Sequence, residues 1–217
     1  MGEIMLYPIN LNLNGKKCLI VGGGEVATRK ISSLIETGAK ITIISPVVTE
    51  KINELVKEKK IIWIDDIYKS GMAKGYFLTI VATNNDEVNK FAIKDAKNFG
   101  ALINAPANPE LSDFTVPAAI KRGDLTVAVS TDGLSPAFSR MIKEEISEFL
   151  PKNTEEWLKI IKRVRNKGKE RLKSSKDREK FWRKALNKRV FELLKEGRLK
   201  EAEAELEHGF SCDGVKP

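Results

Sequence analysis

KCLIVGGGEVATRK, Lys17–Lys30, joins an apolar run to three consecutive glycines and the start of an amphipathic segment. The run from Lys17 to Val21 is short, apolar and β-branched at its end, the pattern of a buried strand. After the glycines, Val26, Ile31, Leu34 and Ile35 recur near helical spacing, and Gly38 supplies a helix stop. Gly22-x-Gly24-x-x-Ala27 therefore lies between a predicted strand and a predicted helix, the context a dinucleotide fingerprint requires. Gly22 permits a tight turn, Gly24 leaves the backbone open to a pyrophosphate, and Ala27 allows close helix–strand packing. The helix N-terminus adds free N–H groups and a partial positive charge. An ordinary glycine turn shows the same letters, so it is the flanking strand and helix that favour nucleotide binding.

The pattern continues outward. ITIIS (41–45), IIWI (61–64), YFLTIVAT (76–83) and ALIN (101–104) read as further strands. Helices are expected from Thr49 to about Lys59 and across NDEVNKFAIKDAKNFG, which Gly100 ends. Strands that are continuous apolar runs and alternate with helices predict a parallel sheet covered on both faces, an α/β fold of Rossmann type. NAD sites often carry an acid at the end of the second strand to hold the ribose hydroxyls. Ser45 stands there, no acid follows until Glu50, and no arginine follows to clamp a 2′-phosphate, which favours NAD over NADP. Thr83 and Asn84, at the carboxyl end of the fourth strand, are expected to face the crevice.

The rhythm changes at Phe114. FTVPAAIKRGDLTVAVST holds two strand-like runs joined around KRGD, a hairpin signal with Gly123 at the turn. Ser135 and Pro136 then open a helix as N-cap and first helical residue. Beyond Pro151 the chain looks wholly helical. Trp157, Ile160, Ile161 and Val164 make one apolar face; Phe181, Trp182, Ala185, Leu186, Val190, Leu193 and Leu194 make another. The last ten residues, HGFSCDGVKP, look frayed.

Residues 1–150 hold 18 Lys and Arg against 18 Asp and Glu, whereas residues 151–217 hold 20 against 12, so the whole net charge of +8 sits in the last third. That asymmetry and Pro151 mark a boundary. The basic helices suit an anionic ligand, a solvated face or, as a third reading, nucleic acid bound without sequence preference. Trp157 and Trp182 lie on the apolar faces rather than on a stacking platform, so nucleic acid is not an expected partner. Cys18 and Cys212 are too few and too distant for a disulfide framework or metal site, and the single histidine, His208, excludes a histidine-rich metal centre. No metal is expected. With no signal-peptide pattern and no apolar run of the roughly 18 residues a span needs, a cytoplasmic protein without membrane contact is expected.

INAPANPELSDFTVPAAIKRGDLTVAVSTDGLSPAFSRMIKEEI, Ile103 to Ile146, resembles the precorrin-2 dehydrogenase family, the dehydrogenase–ferrochelatase module of siroheme synthesis. The likeness covers most of residues 5–150. It includes Gly22–Lys30, Ala82–Asn85, Asn104–Pro117 and Val129–Pro136, and beyond Pro151 it is only general. The resemblance implies oxidation of precorrin-2, a polycarboxylate tetrapyrrole, to sirohydrochlorin with NAD, in a homodimer. It implies an NAD-binding domain (1–113), a dimerisation region (114–150) and a basic helical domain (151–217). Carried over by position, the cofactor contacts are Gly24, Glu25, Val26, Pro46 and Val47, joined by Gly22, Ser45, Thr83 and Asn84 from the residues themselves. Ser130 and Thr131 match hydroxyl residues near the family's substrate cleft. One departure stands out. The family usually has an aspartate acid/base three residues after the motif asparagine; here Asn104 and Pro109 align without a gap and Ala107 fills that place. Asp113 is the nearest acid in the motif, and Asp113 and Ser130 are the catalytic candidates. An inactive homologue or altered variant that binds NAD or the tetrapyrrole without turnover is the alternative. Whether iron or cobalt is inserted stays open, with oxidation alone expected.

Overall fold

The computed structural model describes residues 6–172, 174–208 and 210. The chain divides after Val116 into two compact units. The first holds β1 (Lys17–Val21), α1 (Glu25–Ile35), β2 (Lys40–Ile44), α2 (Glu50–Lys57), β3 (Ile62–Ile64), β4 (Leu78–Val81), α3 (Asp86–Asn98) and β5 (Leu102–Asn104). A 3-10 turn, Pro109–Leu111, follows. The five strands are all parallel, in the order β3-β2-β1-β4-β5.

Because successive strand side chains face opposite ways, each strand feeds two cores. Cys18 and Ile20 of β1 join Ile41, Ile43, Leu78 and Ile80 against Ala27, Ile31 and Leu34 of α1 and Ile52 of α2. Leu19 and Val21 join Ile44, Val81 and Ile103 against Ala92, Ile93 and Ala96 of α3 and against Tyr68 and Ala73 of the β3–β4 loop. The sheet is thus covered on both faces. The fourth strand is shorter than its apolar run suggests, Leu78–Val81 rather than residues 76–83. Tyr76 closes a turn by donating to Ala73 C=O, and past Val81 the chain turns toward the Asn85 cap of α3.

The helix boundaries follow their caps. Thr49 Oγ1 accepts from Ile52 N at the start of α2, and Asn85 Oδ1 accepts from Glu87 N and Val88 N at the start of α3. Gly38 and Gly100 take positive φ just past α1 and α3, as helix stops.

The second unit opens with the antiparallel hairpin β6 (Ala118–Arg122) and β7 (Leu125–Val129) around Gly123, which has φ +58°. Ser135 then caps α4 (Pro136–Phe149) by accepting from Phe138 N. Helices α5 (Thr154–Arg171), α6 (Ser175–Ala185), α7 (Lys188–Lys195) and α8 (Leu199–His208) complete it. The Arg122 guanidinium joins hairpin to helix by donating to the carbonyls of Leu150 and Pro151 at 2.8 and 2.9 Å, at the end of α4. The apolar face expected from Phe181 to Leu194 is split between two helices. Asn187 Oδ1 accepts from Val190 N and starts α7, which turns Leu186 out to solvent rather than into the core. Trp157 and Phe181 are buried, and Trp182 packs against the same core. Among the described residues no helix is long and apolar enough to cross a membrane. Cys212 and most of the expected frayed tail lie outside the described residues.

Candidate functional site: a cleft at the carboxyl ends of the strands

A cleft of about 670 Å³ opens where the order of strands reverses, beyond the carboxyl ends of β1, β2 and β4. This is where open parallel sheets bind ligands. Its floor is the glycine turn Gly22–Gly24, and its walls are Ser45–Thr49, Asp66–Tyr68 and Ala82–Asn85.

The three glycines serve three different ends. Gly22 has φ +107°, and a β-carbon there would lie 2.3 Å from Ala82 O, so β4 passes too closely for any side chain. A β-carbon on Gly23 would lie 2.0 Å from Val47 O and 2.8 Å from Ser45 Oγ, so Gly23 is fitted to the loop after β2. At Gly24 the same construction meets nothing within 4 Å. That position faces the open cleft, and no packing in the structure accounts for its missing side chain. Gly24 is also the N-cap of α1 and provides no side-chain cap, which leaves N–H groups of the first turn for an anion. These features fit a dinucleotide pyrophosphate.

Gly22, Gly24, Ser45, Pro46, Val47, Thr83 and Asn84 all line the cleft. Glu25 and Val26 do not; they begin α1, where their backbone N–H groups, not their side chains, are what an anion would meet. Ser45 is buried, and its hydroxyl donates to Val47 O at 2.6 Å while its own C=O accepts from Trp63 Nε1 at 2.8 Å. It braces the loop. Thr83 is fixed by Asn89, a buried residue whose Oδ1 accepts from Thr83 N and Thr83 Oγ1 and whose Nδ2 donates to Thr83 O.

Asp113 does not line the cleft. Its Oδ2 accepts from Ile103 N at 2.9 Å and its Oδ1 lies 3.6 Å from Lys97 Nζ, which ties it to β5. Ala107 is exposed in the turn between two buried asparagines, Asn104 and Asn108, each of which has a carboxamide oxygen without a partner. Ser130 belongs to the second unit, where its hydroxyl donates to Asp132 Oδ1 at 3.3 Å and accepts from Asp132 N at 3.1 Å.

The sequence reading missed Gly23, Asn89 and the whole wall Asp66–Tyr68. An acid two residues past the third strand was the only local signal for Asp66.

Comparison with known proteins fits this geometry. A family model described as "Putative NAD(P)-binding" matches residues 9–118. Two more, "Sirohaem biosynthesis protein central" and "Sirohaem synthase dimerisation region", match residues 122–148 and 153–210. The siroheme synthase of Neisseria meningitidis serogroup C is 32% identical over 200 residues, 92% of this chain and 42% of that protein. The siroheme synthase of Mannheimia succiniciproducens is 30% identical over 207 residues, 95% of this chain and 44% of that protein. The chain thus spans less than half the length of these relatives. The solved structure of SirC, precorrin-2 dehydrogenase, superposes with a TM-score of 0.77 at 29% identity, covering 94% of this chain and all of SirC. With its glycine turn, parallel sheet and matching residues 9–118, the chain belongs to the NAD(P)-binding family.

Proposed function

We propose that this protein is an NAD-dependent dehydrogenase that oxidises precorrin-2 to sirohydrochlorin. The observation that carries this reading is the likeness to SirC, which extends through both units and over all of SirC, rather than over the nucleotide-binding half alone. The reaction removes a hydride and a proton from the tetrapyrrole. When bound, NAD supplies the hydride acceptor. Gly24 and the first N–H groups of α1 would hold its pyrophosphate, while Ser45, Pro46 and Val47 would line the adenosine side. At the β4 end Asn84 would offer a polar side chain to the nicotinamide side, beside Thr83, whose hydroxyl and backbone are held by Asn89.

The proton is the open part of the chemistry. Ala107 offers no group to receive it, and Asp113 is engaged as a brace of β5. In this reading water takes the proton, and Asp113 is retained as the side-chain candidate. Positioned acid–base groups are typically worth about 10² to 10⁴ in rate, so turnover proceeds below the level a carboxylate at 107 would give. Ala107 also supports a second reading, a binding module that holds NAD and tetrapyrrole without turnover. Ala107→Asp separates the two when assayed beside the unaltered chain. A faster reaction built on measurable starting turnover supports the dehydrogenase. No turnover in the unaltered chain, with both ligands bound, supports the module.

The second unit supports a homodimer. Leu134 is 91% exposed, Phe138, Met141 and Phe149 on α4 are about half exposed, and the hairpin has only two strands. We assign the contact to residues 117–217 as one unit, since the sequence reading chose 114–150 while the family model described as a dimerisation region falls on 153–210. We place the protein in the cytoplasm, a reading that a free, buried Cys18 supports.

A further inference from the structure

We infer that Asp66 is the residue by which this cleft rejects a 2′-phosphorylated dinucleotide, so that the β3–β4 loop selects NAD over NADP. The inference rests on the reading of the cleft as a dinucleotide site. Among the described residues that line the cleft, Asp66 alone carries a charged side chain; there is no lysine or arginine. The glycine turn at the end of β1 fixes where the pyrophosphate lies, and the ribose hydroxyls of such cofactors are read at the end of the second strand. The adenosine half therefore extends toward β2 and β3, the side on which Asp66 stands. Ile44 of β2 pairs with Ile64 of β3, and beyond these strand ends Pro46 and Asp66 both line the cleft. A carboxylate there accepts hydrogen bonds from hydroxyl or amino groups and repels a phosphate.

The loop is not free to swing away. Asp95 of α3, itself 7% exposed, accepts from Tyr68 Oη at 2.7 Å, from Ser70 Oγ at 3.0 Å and from Gly71 N at 3.0 Å. Three donors on one buried carboxylate hold the loop against α3, and Asp66 Oδ1 accepts from Ile67 N at 2.8 Å, which fixes the side chain at its base. Lys69 Nζ donates to the other carboxyl oxygen at 2.6 Å but does not line the cleft. That bond holds the Asp66 carboxyl below the usual carboxylate range, so the group is charged at neutral pH. Lys69 partly offsets the repulsion, which gives the test its second arm.

The experiment is calorimetric titration of the whole protein with NAD and with NADP, at low salt because the rim is screened by ions. The unaltered protein is expected to bind NAD more tightly. Asp66→Asn keeps an acceptor for Ile67 N and removes the charge, and is expected to lower the ratio of the NADP to the NAD dissociation constant by about tenfold. Lys69→Met, which leaves Asp66 untouched and unmasked, is expected to raise that ratio. If Asp66→Asn binds NAD with the ratio unchanged, Asp66 does not select the cofactor, while the cleft keeps its assignment. If the unaltered protein binds neither dinucleotide, the reading of the cleft fails and the selection role fails with it.

Discussion

Gly24→Asp isolates the ligand role of the glycine turn from its structural role. A β-carbon at 24 meets nothing within 4 Å and the backbone there is extended, so the substitution fits without moving its neighbours. The free protein is therefore expected to melt within about 2 °C of the unaltered one, the size of an ordinary surface change. The new carboxylate stands where the pyrophosphate is placed. Like charges about 4 Å apart repel by ~1 kcal/mol at the dielectric of water and ~4 kcal/mol near a protein surface. With two phosphates the loss is about 2 kcal/mol or more, which is about 30-fold or more in the dissociation constant. In a thermal melt, NAD at about 100 times its dissociation constant contributes ~2.7 kcal/mol, or about 5–10 °C for a chain of this size. At the same concentration the variant keeps only about 2–3 °C of that shift. Calorimetry gives the constants directly. A folded variant that binds NAD as before would refute the reasoning, because it would show that the open space at Gly24 is not where the pyrophosphate lies.

Asp95→Ala strips the clamp from the β3–β4 loop and leaves three donors without a partner. Chemical denaturation is expected to show a loss of about 2–4 kcal/mol, and NAD and NADP affinities should fall together rather than separately. Burial pushes the Cys18 thiol up to about 11, so alkylation of the native protein at neutral pH is expected to spare it and denaturation to expose it, as peptide mapping would read. On α5, Arg163 and Lys167 pair with Glu203 and Glu207 of α8 at 2.7 Å each, so reversing them would set like charges against each other between the two helices. Lys162, Arg165 and Lys169 are the better choice; changing all three to Glu is expected to raise KM for the tetrapyrrole, leave KM for NAD within about twofold, and lose its effect with added salt.

What the sequence made legible is what neighbouring residues decide. Val21–Gly22–Gly23–Gly24 and the run into Ile35 carry strand, turn and helix within one window, and Ser135–Pro136 announces α4 by its cap. The rest depends on contacts between distant parts of the chain. Gly23 looks like a spare glycine until Val47 O is brought against it, and Tyr68 looks like a loop residue until Asp95, 27 positions on, accepts a hydrogen bond from its hydroxyl. Asp113 invites a catalytic reading by its nearness to Ala107 in the motif, whereas the fold spends its carboxylate on Ile103 N. The break at Leu186 was within reach, since Asn187 carries a helix-starting signal that the continuous apolar spacing obscured.

The central claim is that one chain holds NAD and oxidises a tetrapyrrole without a carboxylate at position 107. It is tested most directly by mixing the purified protein with precorrin-2 and NAD, and following NADH and sirohydrochlorin together by their absorbance. The account predicts that both appear in equal amounts, at a rate proportional to protein concentration, and that with NAD set near the dissociation constant of the unaltered protein Gly24→Asp forms both about fifteenfold or more slowly. Binding of both ligands with no NADH formed above the uncatalysed rate would contradict it.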